Sequence, residues 1–186
     1  LSPEPEVKII AIVRFVNYRK QTNAGMKFVL DYTMQDKKTV ADDGKKYVSG
    51  VGCTPLSAYV EFNNTKKLYG KTDGRLFYHF VQSFPVEEKI TPETAHEIAL
   101  RFASDSDKLR GFEIVVSTHC DRDHIHSHFV MNSVNTETGK KFHINENEIE
   151  LLMKESDRII REYGLSVLPS HCLLYTSPSP RDSTSS

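Results

Sequence analysis

The sequence predicts an α+β domain in which helices pack on one face of a central antiparallel sheet. Apolar runs of strand length are joined by short polar turns, and the segments between several of them carry apolar residues at helical spacing. Strands joined by short turns pair antiparallel, so the predicted sheet is antiparallel. The expected order is strand, helix, strand, helix, strand, helix, three strands and a final helix.

Length and composition set the first bounds. A chain of 186 residues is long enough to bury one core, and 24 basic against 25 acidic residues leave a net charge of -1. Any DNA-binding surface must therefore be local. Cys53, Cys120 and Cys172 show no paired spacing, which is typical of a reduced cytoplasm. The sequence shows neither a membrane-spanning apolar run nor a signal peptide.

Both ends of the chain look artificial. The chain begins at Leu1 rather than Met, so we expect residues 1–171 to be the N-terminal domain of a longer protein. Residues 172–182 match a translated adapter sequence used in DNA library preparation, so residues 172–186 are interpreted as a sequencing scar. The alternative is a natural linker rich in Ser and Pro. As a scar, residues 172–186 would be disordered and pack on nothing.

The first half of the chain predicts two strands and two helices. Residues 7–16 form a buried strand, and Thr22 or Asn23 caps a helix that ends near Met34. Residues 46–51 form a short strand, followed by a helix that starts at Thr54-Pro55. The side chains expected to face the core are, in the first helix, Met26, Val29, Leu30 and Thr33 and, in the second, Leu56, Tyr59, Val60 and Leu68.

The second half predicts four strands and two helices. The strands are residues 75–84, 112–118, the histidine-rich stretch up to 132, and 140–144. One helix starts at Thr91-Pro92. The other has an Asn145/Glu148 capping box and ends before Gly164.

Four histidines lie within residues 114–132. His124, His126 and His128 alternate with other residues, so they share one face of a strand. A short turn at Asp121–Asp123 would bring His119 toward them, and three imidazoles could then bind one metal ion. The alternative interpretation is a solvated polar strand face.

The pattern His-x-Asp-x-x-x-x-His-x-His followed by Asn, from His119 to Asn132, resembles the metal motif of relaxases, the HUH-type mobilisation endonucleases. It is most similar to the MobA/MobL-like family, the MOB-P class. This resemblance implies a central antiparallel sheet of about five strands that carries the metal site, with a tyrosine that nicks one DNA strand.

A second stretch supports the resemblance. Residues 31–39 resemble the family's first motif, in which a tyrosine is followed several residues later by Lys-Thr, and Tyr32 matches the nucleophile. The chain has Gln35-Asp36 where the family more often has Asn-Pro. A half-buried packing tyrosine with a solvated hydroxyl is the structural alternative.

The resemblance assigns candidate roles to further residues. His119, His126 and His128 match the metal ligands, and His124 is the alternative ligand. Two sets are expected to assist. The first supports the metal site or contacts DNA near it, and the second forms a basic DNA-binding rim around Tyr32, with a solvated face as its alternative. The first set is Asp121, Asp123, His79 and Asn132. The second set is Lys37, Lys38, Lys66 and Lys67.

The implied activity is nicking of single-stranded DNA at an origin of transfer, with a 5′-phosphotyrosyl intermediate and a divalent ion, Mg²⁺ or Mn²⁺. It would serve plasmid or mobile-element conjugation in the bacterial cytoplasm, with accessory mobilisation proteins as candidate partners. Two other classes remain open. One is a rolling-circle replication initiator or transposase of the same superfamily. The other is a metal-dependent hydrolase with a water nucleophile, in which Tyr32 is structural. A non-catalytic histidine-rich module would leave the Tyr32–Thr39 match to coincidence.

Overall fold

Five antiparallel strands form one sheet at the centre of the protein. The computed structural model describes residues 12–84 and 89–165. The sheet order is β1-β3-β5-β4-β2, which confirms the predicted α+β class and the five-strand sheet that the resemblance implies. The strands are β1 Ile12–Val16, β2 Val48–Val51, β3 Phe77–Ser83, β4 Ile114–His119 and β5 His126–Asn132.

Helices cover both faces of this sheet, so the prediction that they lie on one face was wrong. On one face, α1 (Asn23–Thr33) and α3 (Ala58–Leu68) pack against residues that include Val115 and Val130. On the other face, α4 (Pro92–Asp105) and α5 (Glu146–Glu162) cover a larger apolar cluster. The uninterrupted run Ile114, Val115 and Val116 is typical of a strand buried on both faces.

Side-chain caps begin three of the helices where the sequence predicts. Thr22 accepts a hydrogen bond from the Gly25 N–H, and Thr91 accepts one from the Thr94 N–H. Asn145 and Glu148 form the predicted reciprocal capping box. These caps satisfy N–H groups that have no partner within the helix, and therefore fix where each helix begins.

The inner face of α3 differs from the prediction. A 3₁₀ turn at Pro55–Ser57 precedes this helix, and Leu56, Val60 and Leu68 are 91%, 55% and 76% exposed. Of the four predicted core residues, Tyr59 alone packs against the apolar cluster, and it is partly buried. The buried stripe is Ala58, Phe62 and Lys66, spaced four residues apart. Treating Lys66 as a surface charge hid this stripe from sequence analysis.

Two further segments depart from the predicted elements. Residues 140–144 form no strand and contribute only the isolated bridge between Val134 and Lys141. A short helix, α2 (Asp36–Thr39), follows α1 and was not predicted. Residues 7–11 of the first predicted strand, and residues 172–186, lie outside the described residues. Among the helices of the described part, none has the length and apolar character needed to cross a membrane.

A buried polar network supports β4 and β5 on the face covered by α4. His96 makes hydrogen bonds of 2.8 Å to Ser49 Oγ through Nε2 and of 2.9 Å to Thr118 Oγ1 through Nδ1. Thr118 in turn shares a 2.8 Å hydrogen bond with Ser127. Burial lowers the pKa of His96 to about 4, so the ring is neutral at neutral pH.

This network predicts that acid destabilises the protein through His96. Because the pKa of His96 is about 4 in the folded state, below its unfolded value, the ring is neutral in both states above about pH 6.5. As the pH falls from there, only the unfolded state gains the proton. The free energy of unfolding should drop by about 2 kcal/mol between pH 7 and pH 5 from this group.

Urea unfolding at the two pH values measures the effect. His96→Gln should reduce the drop by about that amount, because an amide cannot titrate. His143→Gln, at an exposed position, serves as the control and should leave the pH dependence as it is. An undiminished drop in His96→Gln would contradict the assignment.

Candidate active site

Three histidines converge at one end of the β4–β5 hairpin. His119 ends β4 and pairs directly with His126, which begins β5, while His128 lies two residues further along the same face. Each ring offers one nitrogen such that all three atoms lie within 4.8 Å of one another. The structure therefore brings the side chains of His119, His126 and His128 together, as predicted.

Backbone carbonyls hold two of these rings. His119 Nε2 lies 2.9 Å from the carbonyl oxygen of Thr33, and His126 Nδ1 lies 3.1 Å from that of His124. A carbonyl only accepts, so these two nitrogens carry the protons. The nitrogens left to offer a lone pair to a metal ion are then Nδ1 of His119 and Nε2 of His126.

His128 is held by another side chain. Its Nδ1 lies 2.8 Å from Nε2 of His79, and its own Nε2 is buried without a hydrogen-bond partner. A buried polar atom without a partner is rare, and here it faces a cluster of imidazoles. The three residues therefore fit a divalent metal ion, with the second nitrogen of each ring anchored as metal-binding histidines require.

The charge state of the rings also fits metal binding. Burial lowers the pKa of His119 to about 4, although the hydrogen bond to Thr33 opposes this shift. Burial, reinforced by the neighbouring His119, lowers the pKa of His128 below its usual range. Rings that stay neutral at neutral pH present lone pairs, because protonation would block coordination.

The side chains of His124, Asp121 and Asp123 do not take the roles predicted for them at the histidine cluster. His124 is exposed in the connecting turn and contributes its carbonyl rather than its ring. Asp121 lies 3.6 Å from Lys38 Nζ, and Asp123 is exposed. The expected ring-orienting carboxylate is thus replaced by the carbonyls of Thr33 and His124 and by His79.

Tyr32 lies in the last turn of α1, next to this centre. The following residue, Thr33, supplies the carbonyl that holds His119. Tyr32 is 40% exposed, its ring stacks on Phe28 with centroids 6.1 Å apart, and Lys38 Nζ lies 4.7 Å from its centroid. The residue that follows the predicted nucleophile is therefore hydrogen-bonded to the histidine cluster, a contact that was not predicted from the sequence.

Comparison with known proteins agrees with this arrangement. The family model of the MobA/VirD2-like relaxase nuclease domain matches residues 32–165. The chain belongs to this relaxase family. The resemblance inferred from the histidine and tyrosine motifs is thereby confirmed, and the matched segment begins at Tyr32 and contains the three clustered histidines.

Curated relatives carry related names. The relaxase domain is 42% identical over 120 residues to a Protein rlx of Staphylococcus aureus, covering 64% of this chain and 37% of the relative. It is 30% identical over 182 residues to the Group II intron-interrupted relaxase LtrB of Lactococcus lactis subsp. cremoris, covering 74% and 30%. The chain thus spans about a third of the length of these relatives. No solved structure gives a significant match.

The predicted basic rim is only partly present in the relaxase domain. Lys37 is exposed and Lys38 lies against Tyr32, but Lys66 is 1% exposed and cannot contact DNA. Lys66 points inward near Met26, in the first half of α1, whereas Tyr32 is in its last turn. Lys67, the next residue of α3, is exposed.

Lys66 belongs to a buried polar cluster with Asn132, which was expected to support the metal site. The Lys66 ammonium donates to Asn132 Oδ1 at 2.5 Å and to the Phe62 carbonyl at 3.2 Å, and Asn132 donates to Glu113 Oε2 at 2.6 Å. Asn132 ends β5, at the opposite end of the strand from His126. It therefore joins α3 to the sheet rather than supporting a ligand ring.

The two adjacent lysines give a test of this correction. Lys66→Met keeps the aliphatic stem but leaves the buried Asn132 Oδ1 without its donor, so the free energy of unfolding should fall by about 1–3 kcal/mol. Lys67→Met, at an exposed position, should change it by less than about 0.5 kcal/mol. Urea unfolding of both variants makes the comparison. Equal stability of the two variants would show that Lys66 is not buried.

Proposed function

We propose that this domain is a DNA relaxase that nicks one strand at an origin of transfer through attack by Tyr32. The observation that carries the proposal is the 2.9 Å hydrogen bond from His119 to the carbonyl of Thr33, the residue that follows Tyr32 in the chain. Membership of the relaxase family supports the same activity. Residues 1–171 would form the nuclease domain.

The reaction is a transesterification. The Tyr32 hydroxyl oxygen forms a bond to phosphorus as the bond from phosphorus to the 3′ oxygen breaks. The phenolic proton leaves, and the 3′ oxygen takes up a proton to become a free hydroxyl. The product is a 5′-phosphotyrosyl link that conserves a phosphodiester, so the strand can later be rejoined.

The histidine cluster would prepare the phosphate for attack. A phosphodiester carries negative charge that repels a nucleophile, and a divalent ion such as Mg²⁺ or Mn²⁺ supplies neutralisation and orientation of the phosphate. His119, His126 and His128 would hold it through the lone pairs that their second nitrogens leave available. Because their other nitrogens are already anchored, the rings need little reorganisation on binding.

Residues around Tyr32 fit a single-stranded substrate. Tyr32 and Phe28 form an exposed aromatic pair, and exposed aromatic rings stack on the bases of unpaired strands. The Lys38 ammonium beside the Tyr32 ring and the exposed Lys37 offer positive charge to the DNA backbone. We place the DNA path along this edge, and Lys66 takes no part in it.

The biological setting rests on the family and on the names of the relatives. We propose that the activity serves conjugative mobilisation of a plasmid or mobile element in the bacterial cytoplasm, with accessory mobilisation proteins as partners. A replication initiator or transposase would use the same site on another DNA sequence.

Replacing Tyr32 with Phe should abolish covalent attachment to DNA. The substitution removes only the hydroxyl, so the unfolding free energy should change by no more than about 1 kcal/mol and binding of Mn²⁺ and DNA should persist. The assay is a denaturing gel with labelled single-stranded DNA that carries the candidate origin. Tyr69→Phe, whose hydroxyl donates to the Thr136 carbonyl, is the control and should form the adduct.

Two results would contradict this assignment in different ways. An adduct formed by Tyr32→Phe would move the nucleophile to another tyrosine, with Tyr18 first and Tyr47 next to be tested. Cleavage by the wild-type protein without any adduct would favour a hydrolase that uses water, and Tyr32 would then be a packing residue stacked on Phe28.

His126→Ala should stop cleavage for another reason, the loss of a metal ligand. We expect Mn²⁺ affinity to fall by more than about 10-fold and excess Mn²⁺ to restore part of the adduct, which it would not do for Tyr32→Phe. Calorimetric titration with Mn²⁺ measures the affinity. His124→Ala, two residues away in the exposed turn, is the matched control. If His124→Ala weakens binding instead, His124 is the ligand.

A further inference from the structure

We propose that Tyr18 and His79 are positioning residues that fix His128 in the tautomer able to bind a metal ion. The inference rests on the proposed function in one respect, that the histidine cluster holds a divalent ion. It gives His79, which the sequence places among residues that support the metal site or contact DNA near it, one specific role. It gives Tyr18, so far named only as an alternative nucleophile, a new role.

Three side chains form a continuous hydrogen-bonded chain that ends at the cluster. Tyr18 Oη lies 2.7 Å from His79 Nδ1, and His79 Nε2 lies 2.8 Å from His128 Nδ1. The His79 ring also stacks on both neighbours, with centroids 6.1 Å from Tyr18 and 5.1 Å from His128. Both nitrogens of His79 are therefore used, and only Nε2 of His128 remains free.

Proton placement along this chain has two solutions. In the first, His128 Nδ1 donates to His79 Nε2, and His79 Nδ1 donates to the Tyr18 oxygen, so His128 Nε2 keeps its lone pair. In the second, every donor is reversed, and His128 Nε2 carries the proton. Only the first solution lets His128 act as a ligand through Nε2.

Tyr18 is what makes the first solution available. The carbonyls that hold His119 and His126 only accept, so they fix those tautomers outright. His79 can accept or donate, and its role toward His128 depends on what lies at its other nitrogen. In the first solution the Tyr18 hydroxyl oxygen accepts the hydrogen bond from His79 Nδ1, and without it that buried N–H would have no partner.

The placement of both residues is consistent with positioning rather than with contact to a substrate. His79 is 7% exposed on β3, with its side chain on the histidine face of the sheet. Tyr18 follows β1 and packs on Phe77, with ring centroids 5.2 Å apart. Tyr18 and His79 thus connect the segment between β1 and α1 to the histidine cluster. Tyr32 belongs to the other end of α1.

The test is Mn²⁺ affinity of the full chain by calorimetry, alongside unfolding in urea with a chelator. Tyr18→Phe and His79→Leu should each weaken Mn²⁺ binding by about 10-fold or more, the usual effect of losing a partner of a metal-bound histidine. His79→Gln restores an acceptor for His128 Nδ1 and should recover part of the affinity. Tyr78→Phe is the matched control, because that hydroxyl bonds Phe142 on the opposite face. It should leave Mn²⁺ affinity unchanged.

A spectroscopic readout keeps the inference testable if His79→Leu fails to fold. Nitrogen-15 spectra of the Mg²⁺-loaded wild-type protein should show protons on Nδ1 of both His79 and His128. A proton on Nε2 of His79 would overturn the inference, as would unchanged Mn²⁺ affinity in Tyr18→Phe and His79→Leu. If the wild-type protein binds neither ion, the metal centre of the proposed function fails together with this inference. If it binds normally in all variants, only this inference fails.

Discussion

The pairing of β4 with β5 is the constraint on which the rest of the site depends. His119 stands directly opposite His126, and His128 follows on the same face, so one hairpin delivers three rings to one point. Side chains alternate along a strand, and a slip of one residue would send His126 and His128 to the opposite face from His119. The register is held by a hairpin core that is buried on both faces. Ile114 and Val116 face one apolar cluster and Val115 faces the other.

Burial of this hairpin also determines its chemistry. Burial removes water from the rings of His119 and His128, which favours their neutral form and so their lone pairs. The same burial requires that every second nitrogen find a partner, and it does so in the carbonyls of Thr33 and His124 and in His79. On the opposite face, the hydrogen bond between Thr118 and Ser127 joins the two strands next to the paired histidines. The polar groups on both faces thus stabilise one geometry of the hairpin end.

The end of α1 and the segment after it are coupled to the same hairpin. Thr33 accepts a hydrogen bond from His119, and the Lys38 carbonyl accepts one from the Cys120 N–H at 2.7 Å. These two contacts hold residues 33–38 against the end of β4. Tyr32 therefore has its position set by the strand that carries His119, even though its own ring remains partly exposed and stacked on Phe28. A side chain whose backbone neighbour is anchored in this way can stay exposed while its position relative to the cluster is restricted.

The sequence by itself determined the periodic and local features. Alternation predicted that His124, His126 and His128 share one face, because side-chain direction in a strand follows from position alone. The choice of His126 and His128 with His119 came from the resemblance to the relaxase motif. The caps at Thr22, Thr91 and Asn145 were equally local. Tertiary structure decided whatever depends on residues distant in sequence. It buried Lys66 by pairing it with Asn132 and covered both faces of the sheet. It also brought Thr33, His124 and His79 to the second nitrogens of the three clustered histidines. Sequence spacing does not encode these contacts, because the groups meet only after the helices have packed on the sheet.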